Sequence, residues 1–377
     1  MPSVLLVTQD LQRAGAQRQC VELALGLKSA PGWDVEVVSL EAGGELDQDL
    51  RRGGVALRVI PRRWRWDLTP AWGLAAVVHR KRHDVLHSFL FLPNLYARLA
   101  RLRHRPRLLV SSLRSTGIAG WPRYAAEILM APLCDVIIAN SEAGARALAA
   151  RGVSPGRIRV VRNGLDLARF LSPPGTREVP GLPSRIGMVA QMEPRKDHTG
   201  LIEAFSLVRE THRGARLILG GDGTLRPRIE EAVRLRSLGD AVDLPGIISR
   251  PELLYPTLAV YVQASASEEG TSNSIVEAMA SGCPVVATDV GGNSETVLHG
   301  HTGLIVPPRN ARSLAAAILE LLDNPDRARL MGQAGRARAM TVYARDVMVR
   351  NTIDVYETFL HDRGHPAGLR SSSRATS

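Results

Sequence analysis

Short apolar runs rich in Val, Ile and Leu recur along this chain, and most of them end in a Gly-, Ser- or Asn-bearing turn that leads into a segment with helical spacing. This alternation constrains the fold more than any other feature, because it is the pattern of parallel strands joined by crossover helices. Residues 4–8, 33–39, 55–60, 84–89, 108–112, 134–139 and 158–162 read as strands of a first α/β unit. Residues 185–190, 215–219, 241–246, 258–262, 284–288 and 303–307 read as strands of a second. With 377 residues the chain has room for two cores. The expected division is a domain at 1–171, a proline-rich linker at 172–184, a second domain at 185–345, a helix at 346–363 and a disordered tail at 364–377. One long helical region is expected over 327–360.

The most informative turn is residues 264–280, Ala-Ser-Ala-Ser-Glu-Glu-Gly-Thr-Ser-Asn-Ser-Ile-Val-Glu-Ala-Met-Ala. Gly270 permits an unusual backbone path, and Thr271, Ser272, Asn273 and Ser274 supply caps at a helix start whose free N–H groups suit an anion. Glu269 precedes the turn, and Glu277 lies in the first turn or two of the helix. Two carboxylates then frame a phosphate-friendly helix start. That suits a nucleotide sugar, with amides for the diphosphate and a carboxylate for vicinal hydroxyls. The plainer reading of this spacing alone is a capped helix carrying two solvated glutamates.

Composition narrows the setting. The chain is 45% hydrophobic, no apolar run approaches a membrane span, and residues 4–7 lack signal-peptide flanks, so a cytoplasmic protein is expected. Cys20, Cys134 and Cys283 stand apart in apolar contexts and read as buried thiols. The net charge of +11 sits in the first half: residues 1–170 carry 25 Lys and Arg against 14 Asp and Glu, the remainder 23 against 23. Arg62-Arg63-Trp64-Arg65-Trp66, Arg80-Lys81-Arg82 and the arginines of 98–107, with Trp72 and Trp121, suit an anionic membrane surface. A solvated basic face and a nucleic-acid patch are the other readings. Asp47-Gln48-Asp49 has the form of a metal-binding Asp-x-Asp, but no strand leads into it; it reads as a solvated acidic turn, and no metal site is expected.

The segment from Glu269-Gly270 through Glu277-Ala278-Met279-Ala280-Ser281-Gly282-Cys283-Pro284 to Gly291-Gly292-Asn293-Ser294-Glu295 resembles the donor-site signature of the retaining, metal-independent glycosyltransferases of family 4, which have the GT-B fold. Other elements are similar and fall in the same order. Gly15-Ala16-Gln17-Arg18 stands where the family has a Gly-Gly-Ala-Glu-Arg-like loop. His87 is kept from an Asp-Val-Val-His-x-His strand end, while Phe89 replaces its second histidine. Asn163-Gly164-Leu165-Asp166 is similar to an Asn-Gly-x-Asp element, and Gly220-Gly221-Asp222-Gly223 to a Gly-Asp-Gly turn near the nucleotide. Lys196 fits a diphosphate-binding lysine whose companion arginine is here Gln191.

The resemblance implies two Rossmann-like parallel-sheet domains facing an interdomain cleft, with a C-terminal helix crossing back to the first. It implies transfer from a UDP- or GDP-sugar, with retention and no cofactor; the basic, tryptophan-bearing first domain adds the expectation of a lipid-linked or envelope glycan as acceptor, at the inner face of the plasma membrane. Lys196, Arg195 and Glu269 carry over as the catalytic groups, the two cations on the diphosphate and Glu269 on the transferred sugar. Glu277 carries over to the ribose, and Gly270, Thr271, Ser272, Asn273, Ser274, Gln191, Gly221, Asp222 and Gly15 surround the donor. His87, Arg114 and Asn140 face the acceptor, with a plain surface arginine as the alternative at 114. Rival functions are a UDP-sugar epimerase, a noncatalytic nucleotide-sugar- or glycan-binding protein, and a nucleic-acid binder.

Overall fold

A computed structural model of the chain describes residues 1–64, 67–114, 121–171, 184–267 and 269–364. Residues 172–183 of the expected linker, residues 365–377 of the expected disordered tail, and Arg65 and Trp66 lie outside the described residues. The first domain is a seven-stranded sheet built from β1 (Ser3–Thr8), β2 (Asp34–Ser39), β3 (Ala56–Val59), β4 (Val85–Phe89), β5 (Leu108–Leu113), β6 (Val136–Ala139) and β7 (Ile158–Val160). Its strand order is β3-β2-β1-β4-β5-β6-β7, and every pairing is parallel. The second is a six-stranded parallel sheet of β8 (Arg185–Val189), β9 (Arg216–Gly220), β10 (Val242–Gly246), β11 (Val260–Gln263), β12 (Val285–Thr288) and β13 (Gly303–Val306), ordered β10-β9-β8-β11-β12-β13. Both are doubly wound sheets that reverse strand order at their first strand, which makes two Rossmann-like domains.

Near-continuous apolar strands are what a sheet covered on both faces requires. Val4 and Leu6 face one layer, Leu5 and Val7 the other, and all four are fully buried. Each such burial contributes roughly 1.5–3 kcal/mol. The layer on the Val4 side is completed from the far end of the chain, where Met348, Val349 and Tyr356 pack with Cys20, Leu23 and Trp33. Close approach is possible because two glycines lie under that helix. A Cβ on Gly26 would sit 2.3 Å from Val349 Cγ2, and one on Gly164 2.4 Å from Met348 Cβ.

The helical region expected over 327–360 is two helices, Pro325–Val342 and Arg345–Gly364. The break follows from hydrogen bonding. Leu165 donates its N–H to Tyr343 O at 2.9 Å and accepts from Arg345 N–H at 2.9 Å, drawing the backbone at 343–345 out of the helical ladder. The first of the two helices packs in the second domain and the other on the first domain.

The basic pieces do not form one face. Arg62, Arg63 and exposed Trp64 follow the carboxyl end of β3, whereas Arg80-Lys81-Arg82 and residues 103–107 lead into the amino ends of β4 and β5, at the opposite edge. Several of these cations are also engaged. Arg98 is buried against Glu127, Arg101 meets Asp135 at 2.7 Å, Lys81 meets Glu36 at 2.7 Å and Arg107 meets Asp84 at 3.1 Å. Among the described residues no helix is long and apolar enough to cross a membrane.

Candidate active site

A cleft of about 1290 Å³ opens between the two sheets. Its walls are the segments that leave strand carboxyl ends: Gln12–Gly15 after β1, Leu90 after β4, Arg114 after β5, Asn140 after β6, Gln191 after β8, Gly221 and Asp222 after β9, and Glu269–Ser274 after β11. Open α/β sheets place ligands at these ends, where loops and helix starts converge.

The catalytic candidates meet on the second-domain wall. Lys196 ends the short turn Pro194–Lys196 and is buried, with its Nζ hydrogen-bonded to Glu269 Oε1. Burial pulls the Lys196 pKa below its usual range, an effect Glu269 offsets only in part. Arg195 donates to Glu193 Oε2 at 2.8 Å and holds a second nitrogen 3.6 Å from Glu269 Oε1. Glu269 Oε1 also accepts from Ser265 Oγ at 2.7 Å, and Ser265 in turn accepts from Gln263 Nε2 at 2.8 Å. The turn is pinned to the donor loop, since Ala266 N–H donates to Arg195 O at 2.8 Å. Two cations thus converge on one carboxylate at the mouth of a helix.

That helix is Asn273–Ala280. Its cap differs from the expected one: Ser272 holds the N-cap position, but its hydroxyl meets Ser274 Oγ at 3.1 Å rather than a backbone N–H. Thr271 and Asn273 instead tie the domains together. Thr271 Oγ1 donates to Asn140 O at 2.6 Å, and Asn273 Oδ1 accepts from Asn163 Nδ2 at 2.8 Å and Gln19 Nε2 at 3.3 Å. The first-turn N–H groups have no acceptor within the helix, and this end of it lines the cleft. Gly270 is required by proximity: a Cβ there would lie 2.5 Å from Asn140 Oδ1 and 2.7 Å from Arg114 O.

Glu277 is buried one turn deeper, and its partners are ones the sequence analysis missed. Arg18, from the first domain, bonds Glu277 Oε1, while Tyr255 OH donates to Oε2 at 2.8 Å. Arg18 lies 3.6 Å from Glu22, which Arg345 holds at 2.5 Å, and Arg345 reaches Asp166 at 3.2 Å. Burial opposes the charge on Arg18, but Glu277 and then Glu22 outweigh it and raise its pKa. The expected ribose carboxylate is therefore wired through Arg18 to the helix that crosses between domains. The sequence signals for Arg18 were its place just after Gly15 in the first strand-to-helix turn and its match to the arginine of the Gly-Gly-Ala-Glu-Arg-like loop.

The remaining candidates separate. Gly15, Gln191, Gly221 and Asp222 line the cleft, with Asn273 Nδ2 reaching Gly15 O at 3.4 Å and Gln191 exposed. Asn140 and Arg114 form the facing wall, Asn140 Nδ2 donating to Arg114 O and to Asn163 Oδ1, each at 3.3 Å. His87 corrects the expectation that it faces the acceptor, because it does not line the cleft. It is fully buried between Tyr356 OH, 2.6 Å from Nδ1, and Ser112 Oγ, 2.8 Å from Nε2, with Phe89 stacked on it at 4.4 Å. Its side of β4 faces the C-terminal helix, and burial drives its pKa well below the usual value, so it stays neutral. Asp47 pairs with Arg51 at 2.6 Å, and among the described residues no three His, Cys, Asp or Glu side chains gather to hold a metal.

Residues 177–338 match the family described as Glycosyl transferases group 1, and residues 13–169 the one described as Glycosyltransferase Family 4. The D-inositol 3-phosphate glycosyltransferase of Kineococcus radiotolerans is 31% identical over 327 residues, covering 77% of this chain and 75% of that enzyme. The glycogen synthase of Mycobacterium tuberculosis is 30% identical over 210 residues, 54% of this chain and 49% of that enzyme, so the match spans about half of that relative. Anabaena HepE, solved in complex with UDP, has a TM-score of 0.84 at 19% identity, covering 95% of this chain and 100% of that one, a likeness of fold. Two family matches that divide at the domain boundary, two facing Rossmann-like sheets and a relative alike over three quarters of its length converge: the chain belongs to glycosyltransferase family 4 and has the GT-B fold.

Proposed function

We propose that this chain transfers a hexosyl group from a UDP- or GDP-sugar to a lipid-linked or envelope glycan, with retention and without a metal ion, at the cytoplasmic face of a membrane. The observation that carries this reading is the convergence of Lys196, Arg195, Glu269 and the open start of the helix Asn273–Ala280 at one cleft wall. The chemistry there is suited to a leaving diphosphate. As the bond from the anomeric carbon to the diphosphate oxygen breaks, negative charge grows where two cations and several amides already point, and such preorganised charge lowers the barrier. The acceptor hydroxyl oxygen forms the new bond on the same face, and its proton passes to the departing phosphate oxygen. This route uses no side-chain base from the first domain, in keeping with the seclusion of His87. Glu277 takes the ribose hydroxyls, and Glu269 faces the transferred sugar.

The test is a thermal-shift screen of UDP- and GDP-sugars followed by a transfer assay, comparing wild type with Glu277→Gln. One nucleotide class should raise the melting temperature of wild type, since ligand binding stabilises only the folded state. The Glu277→Gln variant should lose most of that rise. Full stabilisation of the variant would remove Glu277 from the ribose, and donor binding without transfer to any acceptor would favour a noncatalytic role.

A further inference from the structure

Arg114 is a partly buried cation with no carboxylate partner among the described residues. Its Nη1 donates to Asn163 Oδ1 at 3.1 Å and its Nη2 reaches Ser112 Oγ at 3.5 Å, while Nε is buried with no acceptor. The guanidinium lies 5.0 Å from the centre of the Phe89 ring. The titratable groups around it are neutral near pH 7: burial pushes the Cys20 thiol up to about 12, raises Tyr356 and depresses His87. Burial also lowers Arg114 itself, to about 10, which leaves it protonated at neutral pH. Other arginines of the interior and the domain interface are matched differently. Arg18 has Glu277, Arg98 has Glu127 and Arg345 has Glu22, whereas among the described residues no carboxylate lies within ion-pair distance of Arg114.

An unmatched cation in a neutral pocket is costly to keep, and a forked guanidinium is shaped for a phosphate or carboxylate. We propose that Arg114 is the receptor for an anionic group, phosphate or carboxylate, carried by the acceptor. The position fits that role. Arg114 lines the cleft on the first-domain wall, and Asn163, which accepts from its Nη1, donates to Thr271 O at 3.0 Å and to Asn273 Oδ1 at 2.8 Å, so an anion held at this guanidinium sits one side chain from the donor loop. The other source of such an anion is the donor diphosphate, but that group has its own cations, Lys196 and Arg195, on the opposite wall. The inference rests on the sugar-transfer reading and narrows its acceptor to an anionic one.

Titration calorimetry on wild type, Arg114→Gln and Arg114→Lys tests it. UDP and GDP are titrated first, then inorganic phosphate onto protein saturated with whichever nucleotide binds. Nucleotide affinity should stay within about twofold in all three proteins. Phosphate should bind wild type, at least about tenfold more weakly to the Gln variant and about threefold more weakly to the Lys variant, which keeps the charge but not the fork. Equal phosphate affinity in wild type and Arg114→Gln, or no phosphate binding to nucleotide-filled wild type, would overturn the proposal. So would loss of nucleotide affinity in Arg114→Gln, which would move the anion to the donor. Should the Gln variant not fold, phosphate affinity of Arg114→Lys equal to wild type would overturn it as well. If neither nucleotide binds wild type, the sugar-transfer reading fails, and phosphate titrated onto the free chain still decides Arg114.

Discussion

Lys196 and Glu269 show how a single pair sets the character of the second-domain wall. Removing a buried ion partner leaves the other charge uncompensated, which costs more than the pair itself contributes. Burial also pulls the Lys196 pKa below its usual value, and the Glu269 carboxylate offsets this only in part. A cation held under that tension gains most when a second anion arrives, as a diphosphate does in the transition state. Lys196→Ala is therefore expected to lower kcat by about 10²–10³, the scale of losing one preorganised charge at a reacting centre, with little change in nucleotide-induced stabilisation. Steady-state kinetics beside thermal shift separates the two; a variant that loses donor binding but keeps kcat would make Lys196 an anchor only.

Among the elements, the helix Thr69–Lys81 and the segment before it decide what remains of the basic surface. Ion pairing removes Arg98, Arg101 and Arg107 from the free charge, while Trp64, Leu68 and Trp72 stay about half exposed, at 57%, 51% and 49%. These three lie where β3 hands over to the helix, at the same carboxyl edge as the cleft, beside Arg62 and Arg63. Aromatic and aliphatic side chains next to arginines suit the boundary of an anionic bilayer. Flotation with vesicles containing anionic lipid should recover wild type, and Trp64→Ser with Trp72→Ser should reduce that recovery severalfold. Equal recovery of wild type on neutral and anionic vesicles would remove the membrane from the account.

For the whole molecule, acid is the sensitive direction. His198 is buried with both ring nitrogens lacking a partner, and burial followed by the nearby Lys196 lowers its pKa from 6.5 to about 4. His87 is shifted the same way. The folded state thus holds these rings neutral where the unfolded chain protonates them. The His198 contribution is fully present above pH 6.5 and is lost as pH falls towards 4, because the unfolded state then binds more protons. The loss through His198 is on the order of 3 kcal/mol. Melting temperature measured against pH should fall across this interval, and a His198→Leu substitution should flatten the slope; an unchanged slope would assign the acid sensitivity elsewhere.

Much of the site was legible in the order of residues, because what makes a strand-to-helix turn accept an anion is local. Apolar runs placed the strands, and Gly270, Lys196, Glu269 and Glu277 were visible as charged or permissive residues beside those strand ends. A domain division near 345 was expected, but the cause of the helix break at 343–345 was not visible, since it depends on Leu165 taking the backbone groups of a segment far along the chain. Nor was the role of Arg18, whose partner Glu277 is 259 positions away. The seclusion of His87 and the unmatched charge of Arg114 likewise depend on which face of a strand the C-terminal helix covers. Sequence alone determined the kind of chemistry, because residue type and turn geometry travel together. Tertiary structure decided which charges are neutralised by the protein and which are left for a ligand, because that depends on the side chains packing brings within about 4 Å.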